Sequence, residues 1–351
     1  MLHLIPHLDG IAVDYRARLY SALKRKDAGE LLGALKEASD AEEDLAELIR
    51  PVQKDAASIL FEGLKDERTH DASALVLAKI CARDRKMLLE VCRLLEDENP
   101  ALIAGAAAVL ANTCSRSPKA CADLPEWVIE RLATVLKRKP EREPFVDRRR
   151  WSRVRAIDAL GTIGNPAAIP HLVAALDDKD VMIVMRARYA LARISDPVKV
   201  VDEISRHLST EARVVPLVNA LWVLERITLA SSESQMAGFK KVVPILSRLI
   251  VESKDPEVRL RAMRALVNID KNQGVGAISK LLYMNFGAKD ERVWRAAIRS
   301  LERMAKIGCP EALHALRAFV EREEKFPEGR RSAAYSKAKS VLGMLEAEEK
   351  T

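Results

Sequence analysis

Apolar residues recur at helical spacing through most of the chain, and polar punctuation divides them into paired segments. Val258, Ala262, Ala265, Leu266 and Ile269 fall at i, i+4, i+7, i+8 and i+11, which lines one stripe of a helix. Val275, Ile278, Leu281 and Leu282 form a second stripe directly after it, so the two segments read as a helix pair. The first-helix motif Ala-Leu-x-x-Ile recurs at Ala159-Leu160 with Ile163, Ala190-Leu191 with Ile194 and Ala265-Leu266 with Ile269. Ala220-Leu221 joins it with Leu224 in third place. Ala159 to Ala190 is 31 residues and Ala190 to Ala220 is 30. Ala220 to Ala265 is 45, and Ser300-Leu301 follows 35 later. Periods in this range mark stacked helix pairs, none of which buries its apolar face alone. The predicted class is all-α: an α-solenoid of stacked antiparallel helix pairs.

Dipeptides of a capping residue and proline open the segments: Asn99-Pro100, Ser117-Pro118, Asn165-Pro166, Asp196-Pro197 and Asp255-Pro256. The first residue offers a side-chain oxygen to free helix N–H groups, and proline at the next position has no N–H to leave unpaired. The resulting helices include 41–65, 84–96, 118–137, 148–163, 166–177, 180–194, 234–252, 256–270, 274–286 and 330–346. Five regions follow. Residues 1–68 form an N-terminal helical cap, 69–137 degenerate repeats, 138–148 a basic inserted loop, 149–323 clear repeats, and 324–351 a C-terminal capping helix.

Asp255-Pro-Glu-Val-Arg-Leu-Arg-Ala-Met-Arg-Ala-Leu-Val-Asn-Ile269 resembles the first helix of a HEAT repeat of the PBS-lyase HEAT-like kind. Gly161-Thr-Ile-Gly-Asn-Pro-Ala-Ala-Ile-Pro-His-Leu172 resembles that family's turn and second helix. Pro170 and Pro244 lie in Ile/Val-Pro-x-Leu contexts, where the family tolerates a helix proline. The likeness is clear from about 149 to 323. Arg155, Arg186 and Arg261 share one register position, and Ala296 breaks the series. Asp180 and Asp255 stand six residues before Arg186 and Arg261. The resemblance implies that these acids and bases form ladders that tie repeats together.

Composition narrows the class further. No stretch reaches the ~20 apolar residues of a membrane span. Met1–Leu8 is apolar but carries His3, Pro6 and His7, and Asp9 and Asp14 follow too soon for a secretory core. A cytoplasmic protein is expected. The five cysteines are odd in number and lack a C-x-x-C pair, which predicts small buried thiols rather than bridges or zinc knuckles. Glutamine occurs only at 53, 235 and 273 beside abundant Lys, Arg and Glu, a balance that leans towards a thermophilic source.

The net charge of +7 is uneven. Residues 27–67 carry a net −8, and residues 131–155 a net +7. The basic stretch contains Lys137, Arg138, Lys139, Arg142, Arg148, Arg149, Arg150 and Trp151. These are candidate contacts for an acidic protein surface or a nucleic-acid backbone, with Trp151 as an anchor or a base-stacking ring. A solvated loop whose tryptophan packs on the next repeat is the alternative.

Enzyme chemistry finds little support. The iron-binding HEAT-like hydroxylases use His-Glu pairs. Here His3, His7, His70, His171, His207 and His314 are each followed by something else, so no metal or cofactor is expected and the histidines read as surface or packing residues. No chromophore site of a phycobilin lyase is apparent. HEAT-like DNA glycosylases hold a base with aromatics and an acid. Trp127, Trp151, Trp222 and Trp294 are available, with Glu225 three residues after Trp222, but Trp222 and Trp294 sit on first helices as packing residues. No phosphate-binding loop, dinucleotide turn or nucleophile elbow is present. The reading is a non-enzymatic scaffold or adaptor that binds one or more proteins through a concave face of second helices and the basic loop. A nucleic-acid-binding protein is the alternative, and a base-excision enzyme a distant third.

Overall fold

The computed structural model describes residues 18, 21–40, 49, 53–138, 148–284 and 291–348. Among these every regular element is helical, and no strand occurs. No described helix is long and apolar enough to cross a membrane. The chain divides into two compact units. Unit 1 comprises 1–175 and 179–194, and unit 2 comprises 176–178 and 195–351.

Unit 1 contains α1 (Ala28–Asp40), α2 (Gln53–Gly63), α3 (His70–Cys81), α4 (Arg85–Arg93), α5 (Pro100–Arg116), α6 (Pro118–Cys121), α7 (Glu126–Lys137), α8 (Arg148–Ile163), α9 (Ile169–Ala174) and α10 (Val181–Leu191). First helices α3, α5, α8 and α10 pack side by side in one layer, with α7 against α8 and α9 against α10 from the other layer. Ala159 and Leu160 are fully buried where α8 meets its neighbours. Gly161 lets α8 approach α10 closely: a Cβ built there would lie 2.7 Å from Ala190 Cβ.

Unit 2 contains α11 (Pro197–Thr210), α12 (Val214–Ala230), α13 (Glu233–Met236), α14 (Val243–Glu252), α15 (Pro256–Ile269), α16 (Lys271–Leu282), α17 (Glu291–Lys306), α18 (Pro310–Glu324) and α19 (Tyr335–Glu348). The layers repeat here. Helices α12, α15, α17 and α19 stack on one side, and α14, α16 and α18 on the other. Ala220, Ala265, Leu221 and Leu266 are fully buried. Small residues permit close helix approach, and the buried leucines fill the space between layers.

The caps act through side chains. Asn99 accepts from Ala101 N, Asn165 from Ala167 N, Asp180 from Met182 N and Asp196 from Lys199 N. Asp255 accepts from Glu257 N and Val258 N at 2.9 and 3.0 Å. Ser117 makes no such bond at the start of α6.

Several expected helices are divided, and proline is the common cause. The expected 118–137 helix is α6 and α7 separated around Pro125, which lacks an N–H and disfavours helix in the residue before it. Pro170 and Pro244 are not interior helix prolines. Each stands in the first turn of an α-segment that follows a 3₁₀ turn, Pro166–Ala168 before α9 and Ala237–Val242 before α14. The 84–96 helix tightens to a 3₁₀ turn at Leu94–Glu96, and 330–346 begins only at Tyr335. Residues 41–48 and 50–52 of the expected 41–65 helix, including Pro51 where a break is expected, lie outside the described residues.

The cysteine expectation needs one correction. Cys81, Cys92 and Cys309 are buried free thiols, but Cys114 and Cys121 form a disulfide. The turn between α5 and α6 brings their Cα atoms to 5.4 Å, within bridging range, although only seven residues separate them.

Candidate functional site

The first-helix layers carry the grooves of both units. In unit 1, Trp151 at the start of α8 lines a groove of about 260 Å³ with Lys65, Glu67, His70, Asp71 and Arg155. Trp151 is 57% exposed, far more than a packing tryptophan. Arg155, one turn further along α8, reaches Asp71 on α3 at 3.4 Å.

A second groove, about 380 Å³, lies between α8 and α10. Arg186 bridges it to Asp158 at 3.4 Å. Burial raises the Asp158 carboxyl above its ordinary value, outweighing the opposing pull of Arg186, Arg155 and Arg193. Met185, Tyr189 and Arg193 complete the wall.

Helix α10 has two apolar stripes. Ile183, Val184, Ala187, Ala190 and Leu191 are buried in the core. Val181, Met185 and Tyr189, at i, i+4 and i+8, are 80%, 37% and 52% exposed. A helix serving only a core needs one stripe, and the second one stays exposed.

In unit 2 the corresponding groove, about 200 Å³, runs along α12, α15 and α17. Glu225 receives Arg261 at 3.0 Å and Arg264 at 3.4 Å, and Leu229 beside it is 58% exposed. Arg261 also pairs with Glu257 on its own helix at 2.8 Å. Thus Arg186 and Arg261 reach acids on the neighbouring first helix, while Arg155 reaches past α5 to Asp71 on α3. Asp180 and Asp255 cap the starts of α10 and α15.

The basic segment is divided among several roles. Lys137 is exposed at the end of α7, and Arg138 caps that helix half-buried. Lys137 and burial together lower the pKa of His171, with burial the larger cause. Lys139 and Arg142 lie outside the described residues, as does most of the 138–148 loop. Arg148, Arg149 and Arg150 belong to the backbone of the first turn of α8 rather than to a loop. Among the described residues, three bases of 131–155 are engaged within the protein. Arg131 pairs with Glu96 at 3.0 Å, Arg155 pairs with Asp71, and Arg153 is 6% exposed with Nε donating to Leu136 O at 2.9 Å.

The remaining tryptophans are not gathered into a base pocket. Trp294 is buried, and Trp222 is half-buried with the Arg226 guanidinium 5.9 Å from its ring. Sequence reasoning missed Val181, Met185, Tyr189 and Arg193. Their signal was available: the segment Val181–Leu191 is apolar on more than one face, which a single core stripe does not require.

Two solved karyopherin structures share this fold. The karyopherin Kap121p bound to the extreme C-terminus of the protein phosphatase Cdc14p is similar over 92% of this chain and 37% of its own, with TM-score 0.59 at 15% identity. Kap121p bound to Pho4p is similar over 93% and 36%, with TM-score 0.58 at 15% identity. The chain therefore spans little more than a third of that karyopherin. The complex of CpcE and CpcF of phycocyanin lyase from Nostoc sp. PCC7120 is 17% identical over 74% of this chain and 94% of that one, with TM-score 0.33. No curated protein matches the sequence. The model for HEAT repeats matches residues 146–225 and 243–338, together half of the chain, and the protein belongs to the HEAT-repeat family.

Proposed function

We propose that this chain is a non-enzymatic protein-binding scaffold or adaptor whose partner docks on the first-helix layer of unit 1. The exposed stripe of Val181, Met185 and Tyr189 carries the proposal, because α10 already buries a separate stripe in its own core. Trp151 supplies an aromatic anchor of the kind that dominates interface energetics. The second-helix face expected from the sequence offers no comparable row of exposed apolar side chains among the described residues of unit 1. The karyopherin structures, solenoids solved with protein partners, fit a scaffold reading at the level of fold.

The basic residues from Lys137 to Arg150 flank this surface in sequence and would steer an acidic partner towards it. Arg186 and Arg261 hold adjacent repeats together, Arg155 reaches across α5 to α3, and Asp180 and Asp255 fix helix starts. Internal use of Arg131, Arg153 and Arg155 weakens the nucleic-acid alternative, since a phosphate-tracking surface keeps its cations free. A cytoplasmic setting accords with the Cys114–Cys121 bridge in a thermophilic source, because intracellular disulfides are frequent in hyperthermophiles.

Affinity purification from the native source, with and without nuclease, tests the reading. Partners that survive nuclease and are lost from a Met185→Ser/Tyr189→Ser variant support it. Loss of all partners on nuclease treatment, or full retention by that variant, overturns it.

A further inference from the structure

Unit 2 holds a group of donor atoms that the scaffold reading does not use. His207 lies on the last turn of α11, and Glu211 follows it by four residues at the helix C-cap, which puts both on one side of the helix end. Asp177 ends the 3₁₀ turn Ala175–Asp177. That segment is pinned from beneath, since the buried Asn219 side chain on α12 donates to Leu176 O at 2.9 Å. One ligand atom from each of Asp177, His207 and Glu211 lies within 4.8 Å of the others.

Two atoms of these side chains are left in an unfavourable state. Asp177 Oδ1 and His207 Nε2 are both sealed from solvent and neither has a hydrogen-bond partner. They face each other at 3.4 Å. That separation is long for an N–H···O bond. It does match the edge of a tetrahedron around an ion with bonds of about 2.0–2.1 Å. Buried lone pairs without a donor cost free energy that an ion recovers.

We propose that Asp177, His207 and Glu211 bind a divalent first-row metal ion, zinc being the natural occupant, with water completing the coordination. Imidazole and carboxylate together are a zinc-type donor set. Arg213 takes the supporting position. Its guanidinium donates to Asp177 Oδ2 at 3.2 Å and to Glu211 Oε2 at 2.6 Å, with Nε on Glu211 Oε1 at 3.0 Å. These bonds hold the carboxylates from the side and leave Asp177 Oδ1 facing the imidazole, as outer-shell partners do at metal sites. The guanidinium charge also opposes the ion, so binding is weaker than at an all-cysteine knuckle. The bound ion joins the 176–178 segment to the end of α11 within unit 2.

The test uses untagged full-length protein stripped with chelator and titrated with Co²⁺, then with Zn²⁺. The expected result is one Co²⁺ per chain with visible absorption of a low-symmetry four-coordinate ion, displaced by Zn²⁺, and a melting temperature raised by Zn²⁺. Asp177→Asn and His207→Gln should each weaken binding by at least about tenfold, as even loss of outer-shell partners does. His70→Gln should leave binding unchanged. Absence of binding to the wild type, or binding unaltered in both site variants, overturns the proposal. Should a variant lose helicity, the wild-type imidazole resonances decide: Zn²⁺ must shift one histidine of the six, and a shift in none or in all overturns it.

Discussion

Replacing two glycines with alanine should have opposite effects, because one sits in a helix contact and the other faces water. At Gly161 on α8, the new Cβ would stand 2.7 Å from Ala190 Cβ and 3.0 Å from its Cα. Neither atom is the end of a flexible side chain, so α8 and α10 must separate. Alanine gains about 1 kcal/mol of helix propensity over glycine. Overpacking a tight contact costs about 1–3 kcal/mol, and a clash with backbone belongs at the upper end. The net expectation is a loss on the order of 1–2 kcal/mol. At Gly276, inside α16, nothing lies within 4 Å of the built Cβ. The same substitution there should gain roughly 0.5–1 kcal/mol. Urea unfolding followed by circular dichroism measures both, with hydrogen exchange to assign the change to α8 and α10 because two units need not unfold together. A Gly161→Ala variant as stable as wild type, or a Gly276→Ala variant that loses stability, would refute the close-stacking argument.

Thiol chemistry follows from burial. Unfolded without reductant, the chain should present three titratable thiols, and five after reduction; five before reduction would contradict the Cys114–Cys121 bridge. In the native state Cys92, whose pKa burial pushes up to about 12, and Cys81, held well above its ordinary value by the same cause, should resist alkylation at neutral pH, so rapid labelling of either would count against the packing of α3 and α4. The Arg213 side chain and backbone hydrogen bonds hold Glu211 at about 2 against an ordinary 4.5. A depressed carboxylate contributes stability above the ordinary value and loses it as pH falls through the folded one, so Glu211→Gln should be less stable than wild type at neutral pH, with a flatter acid limb between about pH 4.5 and 2 over which the difference closes. Identical acid limbs for wild type and variant would show that the pairing contributes nothing.

Helix pairing was legible because it rests on local signals. Asn99, Asn165, Asp196 and Asp255 cap helices as their position before proline predicts, and the Ala-Leu motif marks residues that are buried. Divisions at Pro125, Pro170 and Pro244 were legible in principle, since proline cannot donate to the helix ladder. The disulfide was hidden, because an odd cysteine count says nothing about a turn that folds Cys121 back towards Cys114. Arg153 counted as surface charge in the sequence, yet it is buried against Leu136 O, and nothing in Arg-Arg-Arg-Trp-Ser-Arg distinguishes it from its neighbours. The Asp177–His207–Glu211 group joins residues thirty positions apart, so only His207 and Glu211 shared a readable spacing. Tyr189 was overlooked for another reason: an apolar residue in a repeat helix reads as core until the packed face is known.

The central claim is that the partner meets the first helices rather than the second, and site-specific photocrosslinking tests it directly. A photoreactive residue is placed at Met185 on α10 in one sample and at Thr134, exposed on the second helix α7, in the other. The claim predicts a crosslinked protein from Met185 that persists after nuclease treatment, with none from Thr134. Crosslinking from Thr134 alone, or adducts at Met185 that disappear with nuclease, would contradict it.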